Sequence, residues 1–310
     1  MIGVSKSAID VFAHVLPPKF YQQLLQLAPE LPQKYPFIKM PALSDPTIRQ
    51  AHFDGRVKQV ISNVNLNPED YTDPTLAAKL CQSGNEELIE LVKRYPAMFV
   101  GAVAMVPLNN LEATAEILEQ VKKEPKLLGI QLFTRALGKS IADPAFYPVF
   151  EKAAALAIPI WLHPVFDERK PDNNIVFSWE YELTQAMLQL VQSDIFTKYP
   201  QLKIIVHHAG GMVPYFAERI EHILSAEQTK AFKKFYVDTA LLGNHKALEL
   251  AVAYYGSDHV LFGTDAPLGI APVGPTKEIT AALQQANLTS KEREQIMYLN
   301  FEKLMAGDAK

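Results

Sequence analysis

The chain carries 310 residues, 48% of them hydrophobic and 21% charged, a balance that intrinsically disordered chains do not have. Thirty lysines and arginines against 34 acidic residues leave a net charge of −4, without the positive field that nucleic-acid binding requires. The single cysteine, Cys81, cannot pair within the chain, no signal-peptide core opens it, and its longest apolar run, 97–107, is about half a membrane span; the expectation is a cytoplasmic protein with no membrane role.

From the N-terminus onward, short runs rich in Val, Ile, Leu and Phe alternate with longer stretches of helical period. The runs predict strands over 8–14, 57–63, 98–106, 127–133, 158–163, 203–207, 235–239 and 260–264. Near-continuous apolar character is what a parallel strand buried on both faces requires. Helical patterns fill the intervals at 85–95, 111–123, 144–156, 182–199, 213–224, 245–255 and 276–285. A last helix opens at Ser290 on a Ser-x-x-Arg start rather than a full capping box. Two helices stop on Lys-Arg-Tyr-Pro (93–96) and Thr-Lys-Tyr-Pro (197–200), basic residues followed by a proline that cannot continue the helix. Eight alternations predict an α/β fold, a (β/α)8 TIM barrel spanning 1–310 as a single domain, with an open doubly wound sheet as the competitor. Residues 16–50, rich in proline and without clear period, read as an insertion after the first strand, forming a lid or pocket wall. Residues 290–310 form the C-terminal helix.

A barrel of this kind gathers its chemistry at the C-terminal ends of its strands. His14 ends the first strand, His163 the fifth, His207 and His208 the sixth, and Asp265 follows the eighth. Each alone has an ordinary structural explanation, as a hydrogen-bonded strand-end histidine or a turn-capping carboxylate. Together on one rim they describe ligands for zinc, manganese or iron. Arg135, beyond the fourth strand, is placed to grip a substrate carboxylate by paired hydrogen bonds, or is a solvated loop residue. Asp238, ending the seventh strand, either hydrogen-bonds a ligand histidine or anchors the next turn. Trp179 is placed to stack on a planar substrate, while Glu180 and Glu182 suit the first turn of a helix. Phe20, Tyr21 and Phe37 either wall the pocket or form a satellite core. His52, His222, His245 and His259 fall away from the rim.

These segments, in this order, resemble the amidohydrolase superfamily, and within it the aminocarboxymuconate-semialdehyde decarboxylase-like branch. Ile-Asp-Val-Phe-Ala-His-Val-Leu-Pro (9–17) is similar to the branch's opening Asp-x-His-x-His segment. Asn85–Leu88 with Tyr95–Pro107, Ile-Trp-Leu-His-Pro (160–164), residues 199–214 containing His-His-Ala-Gly-Gly-Met-Val-Pro, and Leu-Phe-Gly-Thr-Asp-Ala-Pro (261–267) are similar to later motifs. The resemblance implies His14, His163 and Asp265 as metal ligands. It implies His208 as the catalytic acid/base, six residues before Pro214, with His207 as the one-residue alternative. Successive strand residues face opposite ways, so one of this pair is expected at the site, and His207 otherwise packs against the helices. The chain departs from the pattern at Phe12, which stands where a second histidine would share a face with His14 and donates no lone pair. No lysine ends the fourth strand to bridge two ions, which points to one divalent metal, zinc first, with manganese or iron as alternatives.

The implied reaction is metal-dependent, non-oxidative decarboxylation of a small unsaturated or aromatic carboxylic acid, His208 delivering the proton to carbon. One alternative is hydrolysis of a lactone, ester or amide, with Asp265 as a catalytic residue taking the proton of metal-activated water. Another is a metal-free binding barrel that lost activity with the change to Phe12. The expected partner is the small-molecule acid alone, with a homodimer as the default assembly for a soluble enzyme of this size.

Overall fold

A computed structural model describes residues 6–306; residues 307–310, the expected end of the last helix, lie outside the described residues. Seven parallel strands form one sheet in chain order: β1 (Ala8–Val15), β2 (Val57–Asn63), β3 (Phe99–Ala104), β4 (Leu127–Phe133), β5 (Ile160–His163), β6 (Ile204–Val206) and β7 (Tyr236–Val237). β2 and β4 match their expected bounds. β1 carries a bulge between Asp10 and Ala13 in its pairing with β2.

The eighth expected strand, 260–264, forms no regular ladder yet closes the ring. Val260 bridges Val237 on one side. On the other, Val11 N donates to Phe262 O (2.8 Å), Asp265 N to Phe12 O (2.9 Å) and His14 N to Ala266 O (2.7 Å). The physical reason lies in its amides: Phe262 N is bonded to Ile296 O at 2.9 Å, and Thr264 N to the Asp10 carboxylate at 3.0 Å. With those donors taken elsewhere, a continuous strand cannot form.

Alternation sorts the side chains into two layers. Ile160, Leu162, Ile204 and Val206 point outward into the core shared with the helices. Val11, Phe12, Val60, Val103, Trp161 and Ile205 fill the interior, joined by Phe301 and Leu304 of the last helix. Trp161 Nε1 donates to Val11 O across the barrel at 2.8 Å, as a buried indole requires.

The insertion is more ordered than its sequence suggests. It folds as helices Pro18–Leu27, Leu31–Lys34, Pro41–Ser44 and Pro46–Ala51, with a 3-10 turn at Pro36–Lys39. Each of them has proline at its first or second position, where the missing N–H costs no intrahelical bond. The same prolines that obscure a helical period therefore start the helices. The expected helix at 85–95 begins far earlier, at Pro74, because Asp73 caps it through Thr75 N and Leu76 N. The 182–199 pattern splits into Ser178–Gln192 and Ile195–Lys198. At the C-terminal helix, the cap is Thr289 rather than Ser290, and the capping box is complete. Glu292 N donates to Thr289 Oγ1 (3.2 Å) and Thr289 N to Glu292 Oε2 (2.7 Å). Among the described residues no helix is long and apolar enough to cross a membrane.

Candidate active site

Four side chains meet where β1, β5 and β6 end beside the closing segment. His14, His163, His207 and Asp265 offer one ligand atom each, all within 4.8 Å of one another. Each imidazole is anchored through Nδ1. The Ser62 hydroxyl donates to Ala13 O (3.5 Å) and accepts from His14 Nδ1 (3.0 Å). His163 Nδ1 donates to Pro164 O at 2.7 Å, and His207 Nδ1 donates to the Asp238 carboxylate. Anchoring by an acceptor fixes the tautomer, so that in the neutral ring each Nε2 is the atom that presents a lone pair.

Asp265 Oδ1 lies 3.2 Å from His14 Nε2 and 3.3 Å from His207 Nε2. His14 Nε2 is nevertheless buried without a hydrogen bond, so the site holds an unanswered donor atom beside a carboxylate. Three imidazole nitrogens and one carboxylate oxygen at this spacing have the chemistry to hold a divalent metal ion. Asp265 itself has φ of +63°, a left-handed conformation rare outside glycine and concentrated at functional sites.

The electrostatics suit that donor set. Burial pulls His14 below its ordinary value, against the pull of Asp265. His163 is pushed well below it, by burial and then by its histidine neighbours. Both are neutral and able to ligate near pH 7. For His207, burial opposes the charge, but Asp238 and Asp265 prevail and raise it to about 10. Burial acts to raise Asp265, and the close approach of His14 and His207 outweighs this, holding the carboxyl well below the usual range.

His207 joins the cluster as the third imidazole. The sequence favoured His208 for the site and kept His207 as the one-residue alternative, packing against the helices otherwise; Ile205 faces the interior, and parity carries His207 inward with it. Trp161 and His163 share this relation on β5, and that parity was the available signal. His208 reaches the rim as well, because the chain leaves strand geometry at φ +51° for His208 and +54° for Ala209. The rings of His207 and His208 lie 3.8 Å apart. His208 Nδ1 donates to Ala240 O (3.0 Å), and its Nε2 is buried without a partner. The turn needs Gly211, where a Cβ would come within 2.5 Å of Glu180 O. Asp238 ties this turn to the segment after β7, accepting from Ala209 N (3.1 Å) and Ala240 N (3.0 Å).

Aromatic rings wall the site. Phe12 is fully buried and packs among His14, His163 and His207. Trp179 meets the edge of His163 at 5.8 Å, packs against Phe166 at 5.3 Å and Phe37 at 6.0 Å, and leaves its buried Nε1 unpaired. Phe37 thus brings the insertion to the site, whereas Phe20 is core. Glu180 sits 4.0 Å from His208 Nδ1.

Arg135 stands apart from the histidine cluster, lining a neighbouring cavity of about 240 Å3 with Lys34, Asn67, Asp70 and Phe166. Its guanidinium is already engaged, Nε donating to Glu182 Oε2 (2.8 Å) and Nη2 lying 3.5 Å from Asp167 Oδ2. A paired guanidinium does not offer the free fork expected of it. Of the two acids read as first-turn residues, Glu180 lies in the first turn of the helix, and Glu182 is the buried partner of Arg135 and Lys170. His52 and His222 lie exposed, away from the cluster.

Comparison with known proteins agrees with this architecture. Residues 9–305 match the family model described as amidohydrolase. The chain is 26% identical over 264 residues to a 2-amino-3-carboxymuconate-6-semialdehyde decarboxylase of Dictyostelium discoideum, covering 80% of this chain and 73% of that one. It is 31% identical over 224 residues to a gamma-resorcylate decarboxylase of Polaromonas sp., covering 63% and 68%. The crystal structure of a dihydroxybenzoic acid decarboxylase from Polaromonas sp. JS666, with bound manganese and the inhibitor 2-nitroresorcinol, superposes with a TM-score of 0.81 at 23% identity over 97% of each chain.

Proposed function

Because the chain belongs to the amidohydrolase family, we propose that it is a metal-dependent carboxy-lyase that removes CO2 from a small aromatic or unsaturated carboxylic acid. The observation that carries this reading is the convergence of three Nδ1-anchored histidines and Asp265 within 4.8 Å, beside the unpartnered Nε2 of His208. The similar decarboxylases supply the reaction class.

His14, His163, His207 and Asp265 would hold the ion. When bound, it supplies positive charge for the substrate carboxylate and a neighbouring oxygen, and so favours negative charge developing on the substrate. His207 answers the loss of a ligand at Phe12, so the site is not a ligand short. Zinc suits three imidazoles and one carboxylate, and manganese, bound by the Polaromonas enzyme, stands beside it.

The remaining work falls to the chain's own side chains. The indole of Trp179 and the ring of Phe12 line the site with apolar surface, which orients a planar acid and excludes water. The C–C bond to the carboxylate breaks, CO2 leaves, and its electron pair stays on the ring carbon. His208, entering the step with a proton on each ring nitrogen, then delivers the one on Nε2 to that carbon and is left as the neutral ring whose Nδ1–H stays on Ala240 O, a task suited to an imidazole. Asp238 holds His207 and the turn that carries His208 in one arrangement.

Elemental analysis by plasma mass spectrometry, with a panel of hydroxybenzoic and unsaturated acids assayed for CO2 release, tests the proposal. About one equivalent of divalent metal and stoichiometric CO2 are expected. A metal-loaded protein that opens lactones and releases no CO2 would replace the lyase reading with hydrolysis.

A further inference from the structure

A buried polar chain links the insertion to two of the four ligand-bearing segments. Arg49, on the helix Pro46–Ala51, is only 4% exposed, and Gln59 and Asp10 are 8% and 0% exposed. Arg49 Nη1 donates to the His14 carbonyl at 2.5 Å, and Nη2 to Gln59 Oε1 at 2.6 Å. Gln59 Nε2 continues to Asp10 Oδ2 at 3.3 Å. Asp10 then accepts from Thr264 Oγ1 (2.6 Å), Thr264 N (3.0 Å) and Phe12 N (3.2 Å). Thr264 immediately precedes Asp265, whose own amide is bonded to Phe12 O.

From this geometry we propose that Arg49 is a positioning residue for the metal ligands, setting His14 directly and Asp265 through Gln59, Asp10 and Thr264. The proposal rests on the metal-site reading above. A buried guanidinium is a costly way to attach a helix, since apolar residues of similar volume commonly serve stability as well or better. What Arg49 adds is directional. The His14 peptide is fixed from both sides, its N–H on Ala266 O and its carbonyl on Arg49, so the imidazole it carries has little freedom to swing. The insertion has other fastenings, including Leu16 N on Leu43 O at 2.8 Å and the buried Leu31, Ile38 and Leu43. Removing the guanidinium therefore leaves the helix docked while releasing the ligands.

The test measures metal binding to the metal-free chain by calorimetry with Mn2+, alongside the visible absorption of the Co2+-loaded form, for wild type, Arg49→Met, Arg49→Lys and Gln59→Met. Arg49→Met is expected to stay folded by circular dichroism, to bind Mn2+ at least tenfold more weakly, and to shift the Co2+ bands. Arg49→Lys, which keeps the charge and one donor, is expected to recover part of the affinity. Gln59→Met, which breaks the path to Asp10, is expected to weaken binding in the same direction, and decides the matter if Arg49→Met fails to fold. Mn2+ affinity within twofold of wild type with an unchanged Co2+ spectrum, whatever the loss in melting temperature, overturns the proposal and makes Arg49 a structural anchor. A wild-type chain that binds no divalent ion overturns the metal-site reading itself, and this proposal with it.

Discussion

The phenyl ring of Phe12 lies stacked on the imidazole of His207, ring centroids 3.9 Å apart and planes 19° from parallel. One residue cannot ligate, and it supports one that can. The stack holds His207 from one face while Asp238 holds it at Nδ1, and both constraints aim Nε2 at Asp265.

That support gives the first prediction. His207→Ala is expected to weaken Mn2+ or Zn2+ binding by about a hundredfold, as loss of a ligand should. Phe12→His in the same chain returns an imidazole to the strand face shared with His14 and is expected to restore most of the affinity. Titration calorimetry on the two variants checks this; a double variant no tighter than His207→Ala would show that position 12 cannot reach the ion.

His208→Ala separates proton delivery from metal binding. CO2 release is expected to fall about 10² to 10⁴-fold, the usual worth of a positioned general acid, with metal content by plasma mass spectrometry unchanged. A variant that loses metal and turnover together would assign His208 to the coordination sphere.

The pH dependence of metal binding follows from His207. Its value is raised to about 10, so below that pH the metal-free site carries a proton that the ion must displace. Affinity is then expected to climb with pH from 6.5 to 8.5, by about tenfold per unit for one released proton. For His14 and His163 burial favours the neutral ring, so His207 is the main source of the slope. Calorimetry in two buffers of different ionisation enthalpy counts the protons directly, and a flat profile would place the proton elsewhere.

Trp179→Leu tests the aromatic wall. An aromatic contact beyond simple burial contributes about 0.5–1.5 kcal/mol, so KM for a planar acid is expected to rise several-fold with kcat and metal content nearly unchanged. Equal KM values would remove the indole from substrate binding.

The strands were the most legible part of the fold. β2 and β4 carry near-continuous apolar residues because both their faces are covered, and that pattern marks their ends as well. The rim histidines were legible for the same reason, since each closes such a run. What escaped was set by partners remote in sequence. Arg135 looked free for a ligand because nothing near it announces Glu182 or Asp167 as its counter-charges. The buried Arg49, Gln59 and Asp10 lie in unremarkable sequence and acquire meaning only when β1, β2 and the insertion pack together. His207 was the instructive case: counting back from Pro214 pointed to His208, whereas the inward parity of Ile205 would have pointed to its neighbour.

The irregular closure of the ring has a consequence for the life of the chain. His14 and Asp265 are remote in sequence, and the two stand side by side only once residues 260–266 have docked on β1. A chain without the docked segment 260–266 brings together three of the four candidate ligands and lacks the carboxylate. An ion held there would act as a clasp between the first strand and the closing segment. Loading with metal should slow the opening of that joint, so that protease attack near residue 260 reports occupancy without any substrate present.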